Sequence, residues 1–194
     1  MQSSKKISEE QDKSTLLESD WISAAREMLI EGGVAAVQIQ PLAVRLNVTR
    51  GGFYWRFQNR QDLLDRLLLD WQNTNVRSLL RAVRKRSGTP QERYRRLVRL
   101  WLDEKDFDPA LDAAVRQWGN TDREVGELVH KIDAERVEAI ADIFVDDGQE
   151  RDLSIIRARI IYFHQVGYYA LGMSETRAER EALMPLYSQI LGGL

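Results

Sequence analysis

The chain has 194 residues, no cysteine and a formal net charge of −2, a length that can bury a core without cross-links and suits one domain or two small ones. The missing cysteines exclude disulfides, thiolate metal ligands and a cysteine nucleophile, and they suit a reducing cytoplasm, the expected location. No apolar run approaches the roughly 20 residues that a membrane span needs, so no membrane partner is expected.

The first 15 residues, "MQSSKKISEEQDKST", are polar and lack the apolar centre of a signal peptide, so they read as a disordered tail. A helix is expected over about 16–32, where Trp21, Ala24, Ala25, Met28 and Leu29 recur at helical spacing before Gly32 and Gly33 end it. "VAAVQIQ" is briefly strand-like but has no partner. Pro41 then suits the first turn of a short helix, "PLAVRLN", and a second short helix would hold "TRGGFYWRF". Asn59 is placed to cap a long helix over about 60–86, with Leu63, Leu64, Leu67, Leu68 and Trp71 on its apolar side. "SGTP" breaks the chain. Helices follow over about 90–103, 109–118, 121–145, 149–172 and 175–191, with caps at Asn120 or Thr121 and at Ser174, a turn at "DDG" (146–148), and Pro185 kinking the last. The pattern predicts an all-α fold of about nine helices. Its domains are the tail (1–15), a short-helix unit (16–72) and a long-helix unit (73–194).

Charge is distributed unevenly. Residues 37–61 carry Arg45, Arg50, Arg56 and Arg60 and no acid, and Arg77 to Arg99 is dense in arginine with Glu92 the one acid. Acids predominate beyond Trp101. A polyanion would meet the first half and avoid the second, although solvated helix faces account for much of the 77–99 stretch.

The two short helices carry the sharpest signal. Leu42, Leu46, Val48 and Phe53 interlock as in a helix-turn-helix, Ala43 is small at the crossing, and Asn47 suits a left-handed turn. Thr49 can cap the second helix. Gly51 and Gly52 each cost up to about 1 kcal/mol in a helix relative to alanine, a cost that bare backbone pressed against a groove wall or a phosphate would justify. Phe53 and Phe57, four apart, face inward, which turns Tyr54 and Trp55 outward. The competing reading is a hairpin about the glycine pair or an aromatic core corner, but no second alternating strand is present.

At this point residues 21–71 resemble the DNA-binding domain of the TetR family of transcriptional regulators. Its signature is a first helix ending in Gly and a second containing Ile-Ala. After the turn come Val-Ser-x-Gly-Thr-Leu-Tyr-x-His-Phe and then x-x-Lys-x-x-Leu. The chain shows Gly32-Gly33, Leu42-Ala43, Val48 to Phe57, Arg60 and Leu63. The resemblance implies that Thr49, Tyr54 and Arg60 contact phosphate, that Arg50, Gly51 and Trp55 face bases in the major groove, and that Gln38 and Gln40 contact phosphate and a base. Gly52 stands where the family has Thr, Gln38 where it has Thr or Ser, and Arg56 where it has His or Tyr, so one hydroxyl contact is missing.

The resemblance further implies a homodimer on a palindromic double-stranded operator, joined through the last two helices. Ile156, Ile160, Phe163, Gly167 and Leu171 lie about four apart on one, and Leu183, Leu186, Tyr187 and Ile190 on the other, although ordinary intrachain core must account for some of them. It also implies a cavity for a small-molecule effector, which Trp101, Phe107, Trp118, Phe144, Tyr162, Tyr169 and Met173 could line, although such aromatics also serve as plain core. His130 and His164, the two histidines, could contact a ligand, although a lone histidine on a helix is usually a satisfied or solvated side chain. An enzyme is not expected, because the chain holds no HExxH, no phosphate-cradling glycine loop and no serine in a nucleophile setting. No metal or other cofactor is expected. The expected function is a repressor released from its operator by an effector; the competing one is a helical interaction module whose helix-turn-helix no longer reads DNA.

Overall fold

The computed structural model describes residues 16–84, 87–173 and 175–193. The expected tail, Lys85, Arg86 and the cap at Ser174 lie outside them. The described residues contain helices and no strand, so "VAAVQIQ" is not a strand; it completes one helix, and its Ile39 begins the next. The chain divides into two compact units between Trp71 and Gln72.

The first unit holds α1 (Glu18–Ala36), α2 (Ile39–Arg45), α3 (Arg50–Tyr54) and α4 (Arg60–Trp71). Helix α1 starts where the Asp20 carboxylate accepts the Leu17 backbone N–H at 2.7 Å, a negative charge well placed at a helix N-terminus. It is interrupted at Gly33, whose φ of +71° suits glycine, and resumes for one turn to Ala36. Its apolar face, Trp21, Ala24, Ala25, Met28 and Leu29, is buried. Trp21 meets Phe53 edge-on (5.6 Å, 71°) and Phe57 likewise (6.3 Å, 67°), while Phe53 stacks on Phe57 at 5.0 Å. Each aromatic buried this way contributes about 1.5–3 kcal/mol from area alone, which offsets the poor helical propensity of a five-residue helix.

Ion pairs fix the remaining elements of this unit. Arg45 of α2 pairs with Glu27 (3.4 Å) and Glu31 of α1, and its hydrogen bond draws the Glu31 carboxyl below the usual range. Arg26 pairs with Asp70, tying α1 to α4. Asn59 caps α4 by accepting the Asp62 N–H at 3.0 Å, and Asp62 in return accepts the Gln58 N–H at 2.9 Å.

The second unit begins with a π-helical turn, Gln72–Val76, and continues through α5 (Arg77–Arg84), α6 (Pro90–Asp103), α7 (Pro109–Gly119), α8 (Arg123–Asp146), α9 (Arg151–Ala170) and α10 (Arg177–Tyr187), which ends in a second π-turn, Ser188–Gly192. The sequence pattern does not show either π-turn. The first buries Asn75, whose amide donates to the Asp108 carbonyl (2.7 Å) and accepts the Asp108 N–H (3.1 Å). The second follows Pro185, whose missing N–H weakens the α-helical ladder. Asp122, rather than Asn120 or Thr121, caps α8, accepting the Glu124 and Val125 N–H groups. Thr176 caps α10 in a capping box with Glu179. Helices α7 and α8 meet at paired glycines: a Cβ on Gly126 would stand 2.7 Å from the Gly119 carbonyl oxygen, so this corner requires glycine.

Candidate nucleic-acid interface and effector cavity

The backbone of 39–54 forms two short helices about a tight turn. Asn47 takes the left-handed conformation (φ +53°), and the Val48 N–H bonds the Ala43 carbonyl at 2.9 Å. Leu42, Ala43 and Phe53 are buried. Thr49 occupies the N-cap position of α3, but its hydroxyl makes no cap hydrogen bond; the Gly52 N–H bonds the Thr49 carbonyl instead. The hydroxyl therefore stays available to an outside partner.

Burial of Phe53 and Phe57 turns the next side chains outward. Gln40, Thr49, Arg50, Gly51 and Tyr54 are exposed, and Trp55 is 87% exposed, an unusual setting for the largest apolar side chain. Arg50 donates to the Tyr54 hydroxyl at 3.1 Å and lies over its ring. Neither Arg50 nor Arg56 is ion-paired among the described residues. Two expected contacts have intrachain partners instead. Arg60 is partly buried and donates from Nε to the Val37 carbonyl and from Nη2 to the Val34 carbonyl, both at 2.6 Å, so it first closes the end of α1. Gln38 folds its amide back onto the Ala35 carbonyl at 3.0 Å.

The glycine pair answers a steric question. A Cβ on Gly51 would meet nothing nearer than Thr49 Oγ1 at 3.6 Å, and one on Gly52 nothing nearer than Trp21 at 3.8 Å, both ordinary contacts. Neither glycine has positive φ. Unlike Gly119 and Gly126, they are not required by the fold of the chain.

In the second unit, the expected aromatics divide. Trp101, Phe107, Tyr162 and Tyr169 line a cavity of about 280 Å³, with Phe107 stacked on Tyr169 at 6.0 Å. Trp118 and Phe144 do not line it. Both are buried in the core, Phe144 against Tyr94. Met173 is exposed. A smaller cavity of about 90 Å³ shares Trp101 and reaches His164 and Tyr187, whose rings stand 4.9 Å apart. Burial holds the His164 imidazole below its ordinary pKa. His130 is exposed.

The larger cavity is backed by a buried charge network that the sequence reading missed. Arg116 donates to Asp112 (2.9 Å) and, with two nitrogens, to Asp133 (2.8 and 2.7 Å); Arg136 donates to Asp112 (3.1 Å). The Tyr162 hydroxyl accepts from both arginines (2.7 and 2.9 Å) and donates to Asp133 (2.7 Å). Burial pushes the Tyr162 phenol up to about 12. A signal for this was present: Arg136 interrupts the apolar row Ile132, Ile140, Phe144, and Asp112 sits between Leu111 and Val115.

Helices α9 and α10 carry an exposed apolar face. Ile156, Ile160, Phe163 and Leu171 on the first, and Leu183, Leu186, Tyr187 and Ile190 on the second, are all exposed, Leu171 by 78% and Ile190 by 77%. A Cβ on Gly167, in the same row, would meet no atom within 4 Å.

A helix-turn-helix with outward polar and aromatic side chains is the arrangement found in DNA-binding domains. Residues 22–67 match the model for bacterial regulatory proteins of the TetR family. The whole fold resembles solved relatives. One is a transcriptional regulator of the TetR/AcrR family from Thermobifida fusca, 16% identical, with a TM-score of 0.62 over 90% of this chain and 95% of that one. Another is a ketosteroid transcriptional regulator of Mycobacterium tuberculosis, 16% identical, TM-score 0.62, over 92% and 95%. No curated protein matches the chain in sequence. The family and these structural neighbours are regulators, not enzymes, and no helix among the described residues is long and apolar enough to cross a membrane.

Proposed function

We propose that the protein is a homodimeric repressor that binds a palindromic operator and is released by a small-molecule effector. The observation that carries the operator reading is the glycine pair: Gly51 and Gly52 weaken α3, and no atom of their own chain requires them. Backbone kept bare beside exposed Arg50, Tyr54 and Trp55 suits close approach to a major groove. Arg50 and Trp55 would face bases, with Gly51 admitting the groove wall. Thr49 and Tyr54 would hold phosphates, as would Gln40 at the start of α2. Arg60 and Gln38 are engaged with backbone carbonyls, so their part is chiefly to fix the corner from which α2 and α3 project.

The apolar face of α9 and α10 supports dimerisation, since a face of that size is rarely left to water, and two helices from each copy would form a four-helix bundle. The 280 Å³ cavity supports the effector; it lies near the lower end of ligand-pocket volumes, about 300–1,000 Å³. An effector would act by preferring the dimer geometry in which the two α3 helices are mis-spaced.

Selection of random duplex DNA on the purified protein at near-physiological salt tests this. Enrichment of a palindrome with half-sites about one helical turn apart supports the proposal. Binding without enrichment, vanishing as salt rises, refutes the operator reading.

A further inference from the structure

We infer that the larger cavity takes an uncharged, flat, ring-containing ligand bearing one carbonyl-type acceptor, which pairs with the side-chain amide of Gln165. This rests on the effector reading above and specifies its chemistry.

Three observations carry it. First, the wall is electrically complete. Arg116 and Arg136 are matched by Asp112 and Asp133, and Tyr162, with its raised pKa, stays neutral. A charged ligand would enter without a counter-ion in a place poorly served by water, a costly arrangement. Second, Gln165, on α9, lines this cavity as well as the smaller one, and its Nε2 is buried with no hydrogen-bond partner. A buried donor without an acceptor costs about 1–3 kcal/mol, and a ligand acceptor removes that cost. Third, the rest of the lining includes the aromatic rings of Trp101, Phe107 and Tyr169, which suit contact with a planar ring. The exposed polar lining residues, Gln117 and Asn120, carry no charge.

A matched probe series tests the inference by calorimetry, without DNA. The probes are 2-acetylnaphthalene, 2-naphthoate and 2-ethylnaphthalene: the same ring system with a neutral acceptor, an anionic acceptor and no acceptor. The ketone should bind about tenfold more tightly than either of the others, one hydrogen bond separating it from the hydrocarbon. In Gln165→Leu the preference of ketone over hydrocarbon should disappear, while hydrocarbon binding persists and reports an intact cavity. Should that variant fail to fold, the wild-type ratios still decide. Equal or tighter binding of the naphthoate, an unchanged ketone preference in Gln165→Leu, or no probe binding at all would overturn the inference. Release of an operator duplex is measured separately. Ketone binding without release leaves the ligand chemistry standing and removes the effector reading; release by charged compounds alone does the reverse.

Discussion

Replacing Gly51 and Gly52 by alanine should make the protein more stable and worse at binding DNA. Both positions lie in α3 with ordinary backbone geometry, and an added Cβ at either would sit at van der Waals distance, 3.6 Å from Thr49 Oγ1 and 3.8 Å from Trp21. No neighbour has to move. Each change then yields only the gain from restricting the unfolded chain and improving helix propensity, about 0.4–1 kcal/mol. The double variant should gain about 1–2 kcal/mol. At roughly 2–4 °C per kcal/mol for a chain of this size, its melting temperature should rise by several degrees. The methyl group at exposed Gly51 would meanwhile hold the backbone off the groove, whereas the one at half-buried Gly52 faces Trp21, and operator affinity should fall about tenfold. Thermal unfolding followed by circular dichroism and titration of a selected duplex measure the two effects. Lower stability would mean that the fold itself demands glycine. Undiminished affinity would mean that the bare backbone serves something other than DNA. Either result refutes the reasoning.

Other outcomes follow from the same geometry. Arg50→Ala should relax base preference at one operator position by roughly 1–3 kcal/mol, seen as a loss of discrimination among single-base operator variants. Tyr54→Phe should instead weaken all duplexes alike. Arg60→Ala removes two charge-assisted hydrogen bonds from the carbonyls of Val34 and Val37, and urea unfolding should show a loss of about 2–4 kcal/mol. A pure loss of DNA affinity with stability intact would instead assign Arg60 to phosphate. Placing lysine at both Ile160 and Leu186 should yield monomers in analytical ultracentrifugation, because both charges fall in the exposed apolar face. His164 has a folded pKa lowered by burial. The stability its neutral form contributes is therefore present above about pH 6.5 and lost as pH falls through the folded value. Wild type should lose more stability between pH 7.5 and 5.5 than His164→Gln.

The helix-turn-helix was legible because its determinants are local. Asn47 at the turn, Phe53 and Phe57 four apart and the small Ala43 depend on neighbours within about ten residues, and a linear pattern records such relations. The boundaries of the long helices followed from apolar spacing and prolines for the same reason. Long-range features were not legible. Arg60 looked like a surface cation, and only folding brings it within reach of Val34 and Val37, more than 20 positions earlier. Phe144 and Trp118 have the composition of pocket residues, yet the packing of α6, α8 and α9 buries Phe144 in the core, and Trp118 is buried outside the cavity. The π-turn at Gln72–Val76 leaves no mark in the hydrophobic pattern, because one inserted residue in a helix shifts the register only after it. The network of Asp112, Arg116, Asp133, Arg136 and Tyr162 joins three helices. Its one visible sign was a charge placed within apolar rows.

The central claim is that α3 reads DNA sequence. Its most direct test compares the wild-type protein on a selected duplex and on the same duplex with its bases scrambled, at near-physiological salt. The account predicts a preference of about a thousandfold or more for the selected duplex, the range of specific over non-specific binding. A ratio near one, with both affinities falling equally as salt rises, would contradict it.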